Sequence, residues 1–362
     1  MRILDRYVLK ELIGIFLFGI IAFSSIFVGT GVLFRIAQYM SQYGAPLSVV
    51  VRLFLYSLPE IINYTFPMAM LLASLLCMGR LSGTSEITAM QSGGISFKRI
   101  AAPILIVAFL VSAFSVIFAE KVVPASKEAY RNIVRVEIMH NTKPKSQDHI
   151  VIKNISGGNI STLTYAKSFN EKDGKFIDVT IEQFEDGRLT KIQKAKTALW
   201  VDNAWHMYDG AIYEVIDEKG VQRSLDFKEQ IMPLDEAPEK IAKNQKDEDE
   251  MTISELRDMI KVLDEKEVST TKYKMEMYQR FTIPMASFVF ALVGIPLGMQ
   301  KQRASSSIGL GISAIVIFFY YTVMTVGMAL GKGGSVPPLL AAWLPDILCG
   351  LVGVWLIKQK EN

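Results

Sequence analysis

The chain has 362 residues, of which 50% are hydrophobic and 21% are charged, and its formal net charge is +3. This charge is small and the basic residues are not gathered on one soluble segment, so the composition gives no support to nucleic-acid binding. The apolar residues are concentrated in 12–34, 53–79, 100–119 and 281–357, and most charged residues lie between them. Because an uncharged apolar run of about 18 residues or more can cross a bilayer as a helix, the pattern predicts a membrane protein.

Residues 1–122 form the predicted N-terminal membrane half. Its first apolar run is too long for the hydrophobic region of a signal peptide and no clear cleavage site follows it, so we interpret it as a retained span. Pro59 and Pro67 are expected to kink the second span, and Glu60 between them either lies near the interface or lines a cavity. The predicted spans cover about 12–34, 53–79 and 100–119.

Two short segments of this half are predicted to lie at the membrane surface. The apolar positions of residues 1–11 recur at helical spacing and indicate an amphipathic helix along the membrane. In 80–99, Ser85 is a candidate N-cap, Glu86 suits the first helical turn and Gly93-Gly94 ends the helix. A plain connecting loop is the alternative for the second segment.

Basic residues predict the orientation of the spans, because cytoplasmic loops are enriched in Lys and Arg. Lys and Arg are frequent on the side of the predicted spans where both termini lie. The short loops on the other side have only Arg35, Arg52 and Lys332. We therefore expect both termini in the cytoplasm and the long polar interval outside it. The basic residues on the predicted cytoplasmic side are Arg2, Arg6, Lys10, Arg80, Lys98, Arg99, Lys301, Arg303, Lys358 and Lys360.

The polar interval 123–279 is predicted to be a soluble domain built from antiparallel strands. Its apolar residues have a period of two, so Ile177, Val179 and Ile181 are expected on one face of a strand. Short strands that are separated by glycine-containing turns are typical of a sandwich or jelly roll. The predicted strands are 149–155, 161–169, 175–182, 188–201, 205–208, 211–217 and 221–228, with turns at Gly157-Gly158, Asp173-Gly174, Asp186-Gly187, Asp209-Gly210 and Lys219-Gly220.

The end of this interval returns the chain to the membrane. Residues 235–250 are charged and lack an apolar period, which indicates a solvated linker. Thr252 and Glu255 have the spacing of a capping box, and the apolar positions that follow predict an amphipathic helix.

Residues 280–362 form the predicted C-terminal membrane half. Gly294 and Gly298 give a small-xxx-small pattern that allows close helix contact, and Pro296 between them is expected to kink the helix end. Asp346 either lines a polar cavity or pairs within the bundle. The predicted spans cover about 281–300, 308–330 and 338–357.

No convincing catalytic or metal-binding motif is present in the sequence. His140, His149 and His206 do not have metal-ligand spacing. The sequence GMALGKGG at 327–334 differs from a phosphate-binding loop, because its glycine spacing is one residue short and no Ser or Thr follows Lys332. We therefore expect no enzyme activity, metal or cofactor in this chain.

Four segments resemble one family of membrane proteins. They are LDRY near the start, FPMAMLLASLLCMGRLSGTSEITAMQSGGIS at 66–96, YQRFTIPMASFVFALVGIPLGM at 278–299 and AAWLPDIL at 341–348. The chain resembles the LptF/LptG (YjgP/YjgQ) permeases of lipopolysaccharide export over its whole length. The SEITAMQSG and IPLG stretches are the more specific ones, whereas the soluble domain matches by position and type.

This resemblance implies a permease subunit of an ATP-driven complex that extracts lipopolysaccharide from the bacterial inner membrane and passes it to a periplasmic bridge. It implies six transmembrane helices in two groups of three, with an inserted periplasmic β-jellyroll-like domain. The implied partners are a cytoplasmic LptB-type ATPase dimer that uses the ATP, a second LptF/LptG-type permease subunit, an LptC/LptA-type bridge and lipopolysaccharide. An F-like or a G-like role, and pairing with a paralogue or with itself, all fit the sequence.

The resemblance also assigns roles to particular residues. Arg35, and more weakly Arg52, match positions where family members place basic residues toward lipid phosphates, and snorkelling to the interface is the alternative. Asp346 stands where related chains often carry Asn. The helix that docks on the ATPase corresponds to 85–94, with Glu86 at its acidic position, and its candidate residues are Ser85, Glu86, Ile87, Met90, Gly93 and Gly94.

A second class of function also fits the architecture. The chain could be a non-transporting, mechanically coupled membrane protein whose outer domain binds a periplasmic partner. A lipid that copurifies with the chain would favour transport, whereas stable isolation without any ATPase would favour this alternative. A membrane enzyme is the third class, and the missing catalytic residues argue against it.

Overall fold

A computed structural model describes residues 3–140, 146–156, 159–185, 188–215, 221–234, 236–299 and 306–361. The chain divides into two compact units, a helical unit (Met1–Ile133 with Glu248–Asn362) and a β unit (Val134–Asp247). Within the described residues, six helices are long and apolar enough to cross a membrane. An antiparallel six-stranded sheet is inserted between the third and fourth of them. The predicted fold class, a helical membrane protein with an inserted antiparallel β domain, is therefore confirmed.

The first span starts closer to the N-terminus than the apolar run indicates. Helix α1 (Ile3–Phe27) continues through a π-helical turn (Val28–Val32) into α2 (Leu33–Tyr43). The prediction of a separate surface helix over residues 1–11 is wrong, because Val8 and Leu12 are fully buried in the bundle and carry the helix straight into the span.

The other helices follow in two groups, before and after the sheet. Pro59 and Pro67 lie inside α3, and Pro284 and Pro296 lie inside α9. The helices are α3 (Leu47–Gly83), α4 (Glu86–Ser92), α5 (Phe97–Lys121), α6 (Val123–Asn132) with a π-helical end (Ile133–Ile138), α7 (Pro238–Asn244), α8 (Ile253–Glu265), α9 (Thr271–Gly298), α10 (Ser306–Lys332) and α11 (Pro338–Glu361).

Helices α3 and α9 form the centre of the helical unit and are largely buried, whereas α1 and α10 leave most of their apolar residues exposed. A Cβ atom added at Gly294 would lie 2.1 Å from Ser74 Oγ, and one at Gly298 would lie 2.4 Å from Leu75 O. Pro296 between these glycines is buried. The two central helices can therefore approach this closely only because both positions lack a side chain.

The sheet of the β unit has the simplest antiparallel order. Each strand pairs with its neighbours in the chain, so the order is β1-β2-β3-β4-β5-β6. Such a meander has no crossover connection, whereas a Greek-key jelly roll has them. The strands are β1 (Gln147–Ser156), β2 (Asn159–Asn170), β3 (Lys175–Glu185), β4 (Arg188–Val201), β5 (Ala204–Val215) and β6 (Val221–Ile231).

An aromatic cluster forms the core of the β unit. Trp205 is fully buried, and its ring lies 4.6 Å from Phe176 and 5.3 Å from Trp200, measured between ring centroids. Its indole N–H donates to the carbonyl of Glu236 at 2.8 Å, so the chain after β6 is fixed to this core. Ile241 of α7 packs on the same cluster. The unit thus builds a hydrophobic core of its own without a disulfide.

One predicted turn, Asp209-Gly210, is wrong, because both residues lie inside the single strand β5. A Cβ atom at Gly210 would lie 2.2 Å from Lys194 O and 2.3 Å from the ring of Phe227, so this glycine makes room for an aromatic ring rather than for a turn. The hairpin between β4 and β5 turns instead at Asp202 and Asn203, which both have positive φ. Gly174 has the predicted turn conformation, and the turns at 157–158, 186–187 and 219–220 lie outside the described residues.

A row of residues across the sheet reverses the side-chain alternation. His149, Asp178 and Asp209 have φ of 58°, 50° and 52° at matched positions of alternate strands. On β3 the buried residues are therefore Phe176 on one side of the row and Val179 and Ile181 on the other. The prediction that Ile177 shares their face is wrong for this reason. Lysines occupy the row on the other strands, namely Lys167, Lys196 and Lys228.

Candidate functional site

The segment that joins α3 to α5, residues 84–96, contains the short helix α4. Glu86 is its first residue, and Glu86 Oε1 accepts hydrogen bonds from Tyr7 Oη at 3.2 Å and Thr84 Oγ1 at 3.0 Å. Ser85 occupies the N-cap position, as predicted, with a φ of 60°, but its side chain makes no capping hydrogen bond to the helix. The helix ends before Gly93-Gly94, as predicted, and Gly94 has a φ of 83°.

The connecting segment 84–96 is anchored by apolar side chains. Ile87 is buried in one cluster with Val8 and Leu12 of α1, Leu81 of α3 and Phe97 of α5. Met90 is partly buried against the same cluster. The exposed surface of α4 is therefore presented by a rigid apolar base.

Ion pairs surround this base at the same end of the bundle. Arg99 Nη2 lies 2.8 Å from Asp5 Oδ1, and Arg80 Nη1 lies 2.5 Å from Glu11 Oε1. Lys360 Nζ donates to Met299 O at 3.2 Å, so the described end of α11 lies here too. We call this the terminal end. Of the basic residues that predicted its orientation, Arg2, Lys301 and Arg303 lie outside the described residues.

The opposite end of the helical unit carries both candidate lipid-binding arginines. Arg35 lies on α2 and Arg52 on the second turn of α3, and both are exposed. The two helices are joined by a short turn in which Gly44 has a φ of 65°. Their neighbours on these helices include exposed apolar side chains such as Phe34 and Val51.

Glu60, for which the sequence left an interfacial position or a cavity lining open, lies in a polar cluster at this opposite end. Lys127 Nζ lies 2.8 Å from Glu60 Oε1 and 2.8 Å from Asp249 Oδ2, so one ammonium group joins α3, α6 and the segment after the sheet. Burial tends to raise the pKa of Asp249, but Lys127 outweighs burial and holds it below its usual value. Arg131 forms a further ion pair with Glu250.

Arg280 of α9 is the centre of this cluster and only 6% exposed. It donates to the carbonyl oxygens of Ala119 at 2.9 Å, Asp249 at 2.6 Å and Met251 at 3.1 Å. Glu276 one turn earlier lies 3.4 Å away. The sequence pattern placed Arg280 next to the predicted span 281–300 and assigned it no role. Its position as a cation at the border of an apolar run is the signal that could have indicated one.

A small polar cavity of about 30 Å³ lies among these groups. Its walls include Glu60, Asn63, Lys127, Gln279 and Arg280. The amide nitrogen of Gln279 is buried there and has no hydrogen-bond partner among the described residues. A cavity of this size and polarity can hold an ordered water molecule, which would satisfy such a group.

Asp346 pairs within the bundle, which was one of its two predicted alternatives. Tyr320 Oη donates to Asp346 Oδ1 at 3.0 Å, and both side chains are buried. Tyr320 in turn packs edge-on against Phe290, with ring centroids 4.7 Å apart. The carboxyl group therefore joins α10 to α11 beside the central helix α9.

Comparison with known proteins places this architecture in a family. The family model described as lipopolysaccharide export system permease LptF/LptG matches residues 6–359. The permease protein LptG of Escherichia coli K12 is 24% identical over 320 residues, which cover 85% of this chain and 84% of the relative. LptG of Haemophilus influenzae is 21% identical in an alignment that covers 99% of each chain. Since the family model spans nearly the whole sequence, the chain belongs to the LptF/LptG family of lipopolysaccharide export permeases.

Proposed function

We propose that this chain is a permease subunit of an ATP-driven complex that extracts lipopolysaccharide from the inner membrane and passes it to a periplasmic bridge. The family match carries the proposal, because it covers both membrane halves and the inserted sheet. Membership of a permease family also argues against an enzyme, and the six apolar helices among the described residues indicate a multi-pass inner-membrane protein. The match favours transport over the alternative of a non-transporting, mechanically coupled protein.

The chain is proposed to work with separate partners. A cytoplasmic LptB-type ATPase dimer would bind and hydrolyse the ATP, a second LptF/LptG-type permease would complete the membrane part, and an LptC/LptA-type bridge would receive the lipid. Both termini would be cytoplasmic and the β unit periplasmic. The basic residues at the terminal end, such as Arg80, Lys98 and Arg99, support this orientation.

The connecting segment 84–96 is proposed to receive the motion of the ATPase. Two features support this role: Glu86 gives the short helix α4 an acidic start, and Ile87 anchors it to the buried cluster of the helical unit. A rigid base matters because a flexible docking helix would absorb the motion instead of passing it to α3 and α5.

Reversal of the charge at Glu86 tests the coupling role. We expect Glu86→Arg to reduce copurification of the ATPase and ATP-dependent release of lipopolysaccharide from vesicles by about tenfold or more. A positive charge would replace the carboxylate that the docking groove of the ATPase is proposed to bind. Lys98→Gln, a charge change nearby on the same end, serves as the control. Normal ATPase association and export with Glu86→Arg would refute the assignment.

The lipid is proposed to meet Arg35, and more weakly Arg52, through its phosphate groups. Guanidinium groups bind phosphate through two parallel hydrogen bonds, and Arg35 is exposed beside apolar surface. We expect Arg35→Glu to lower photo-crosslinking of lipopolysaccharide to α2 several-fold, with Arg35→Lys losing less. Equal crosslinking in the wild type and Arg35→Glu would leave only the snorkelling alternative.

Isolation of the chain in a mild detergent, followed by mass spectrometry of bound proteins and lipids, tests the proposal as a whole. Recovery of an ATPase, a second permease and lipopolysaccharide is the expected result. Recovery of a stable chain with no ATPase and no lipid, even after gentle extraction, would favour the non-transporting alternative.

A further inference from the structure

We propose that the first three turns of α1 take part in the coupling. Movement of the connecting segment 84–96 would then reach α1 directly, as well as α3 and α5. The inference rests on the proposed function, since it names positioning residues for the coupling role. The residues in question are Asp5, Tyr7 and Glu11, which we call the terminal brace.

The terminal brace contacts each part of the connection between α3 and α5. Glu11 pairs with Arg80 at the end of α3, Tyr7 donates to Glu86 at the start of α4, and Asp5 pairs with Arg99 at the start of α5. A segment that touches all three elements cannot stay in place when they move together.

Apolar packing gives the brace its strength. Val8 and Leu12 of α1 are fully buried in the cluster that also contains Ile87 and Phe97, and Leu4 one turn earlier packs on the same cluster. Exposed ion pairs contribute little by themselves. The apolar row therefore holds α1 against the connecting segment, and the polar contacts fix its direction and register.

The remainder of α1 is suited to carry such a movement. The apolar residues of the first span are mostly exposed, and α1 is followed by the π-helical turn Val28–Val32. Gly29 and Gly31 lie in this turn, and a Cβ atom at either would have no neighbour within 4 Å. Glycines and π-helical turns are common sites of helix bending. Movement at the brace would thus bend the helix at this turn and shift α2, which carries Arg35.

Hydrogen exchange of the purified full-length chain in detergent tests the brace itself. The variant Asp5→Asn/Tyr7→Phe/Glu11→Gln removes its polar contacts and retains Val8 and Leu12. We expect amide exchange in 84–96 and in the first turns of α1 to rise about three- to tenfold. Arg6→Gln/Lys10→Gln changes exposed charges on the same helix and is expected to leave exchange unchanged. Equal exchange in the brace variant and this control would overturn the proposal.

A charge exchange separates the brace from the function it serves. In vesicles containing the complete transporter, we expect Asp5→Arg and Arg99→Asp each to lower the lipopolysaccharide released per ATP about three- to tenfold while the ATPase stays bound. The double variant restores the pair and should regain most of the coupling. If the wild type releases lipopolysaccharide with ATP and the single variants release as much per ATP, the role of the terminal brace is overturned and the proposed function stands. A wild type that binds no ATPase would overturn the proposed function, and hydrogen exchange would still decide the contact.

Discussion

At the terminal end of the helical unit, close-packed apolar groups and half-exposed ion pairs hold the helices together; at the opposite end, a buried guanidinium group holds three backbone carbonyls. The first arrangement loses little free energy when a polar contact breaks, because water replaces the partner. The second loses much, because the orphaned groups stay buried. We infer that the cluster around Arg280 is the fixed part of the helical unit, whereas the terminal end, and α2 through the π-helical turn, can move.

This difference agrees with the roles proposed for the two ends. Coupling to an ATPase would require contacts that can break and re-form, and those of Glu86 and Glu11 are exposed enough to do so at little cost. The opposite end contains the points where the chain leaves and re-enters the helical unit, near Ile133 and Glu248. The ion pairs of Lys127 and Arg131 with Asp249 and Glu250 keep these two points together.

Substitution of Arg280 should break the fixed part and have the largest effect. Arg280→Met leaves three carbonyl groups without their donor, and we expect the free energy of unfolding in detergent to fall by about 3–5 kcal/mol. Arg257→Met, which removes an exposed arginine of α8, is the control and should change it by less than about 0.5 kcal/mol. Similar unfolding curves for both variants would contradict the comparison of the two ends.

Substitution of Gly298 tests the terminal end through its packing. Gly298→Ala adds a Cβ atom 2.4 Å from Leu75 O, and we expect a loss of about 1–3 kcal/mol from overpacking. Thermal unfolding followed by circular dichroism would measure it. Gly311→Ala on α10 places the same atom in open space and should be neutral or slightly stabilising. A harmless Gly298→Ala would mean that α9 can shift away from α3.

The pH dependence of Asp249 should give the smallest effect. Its folded pKa lies below the unfolded value, so its pairing with Lys127 stabilises the fold above about pH 4 and this stabilisation is lost as the pH falls through the folded pKa. We expect Asp249→Asn to cost about 0.5–1 kcal/mol at pH 7, since the carboxylate is half-exposed. The difference from the wild type should shrink as the pH falls through the folded pKa of Asp249, and Glu265→Gln, exposed on α8, should show none. A difference that stays the same size as the pH falls would point to packing rather than charge.

Sequence patterns were sufficient for the spans, the capping box of Thr252 and Glu255, and the antiparallel sheet, because each depends on local periodicity or spacing. They could not place Arg280, whose carbonyl partner Ala119 is 161 residues away. They misread Asp209-Gly210, because an Asp-Gly pair also suits a strand position covered by an aromatic ring. The coupling and lipid-binding roles of Glu86 and Arg35 remain predictions.

The row of left-handed residues across the sheet has a consequence for misfolding. An ordinary meander can slip by one residue if both faces tolerate the exchanged side chains. Here the alternation reverses at His149, Asp178 and Asp209, so a slipped strand would be out of phase on both sides of the row at once. The row therefore works as a register lock. It should disfavour exchange of strands between two copies of the domain while they fold.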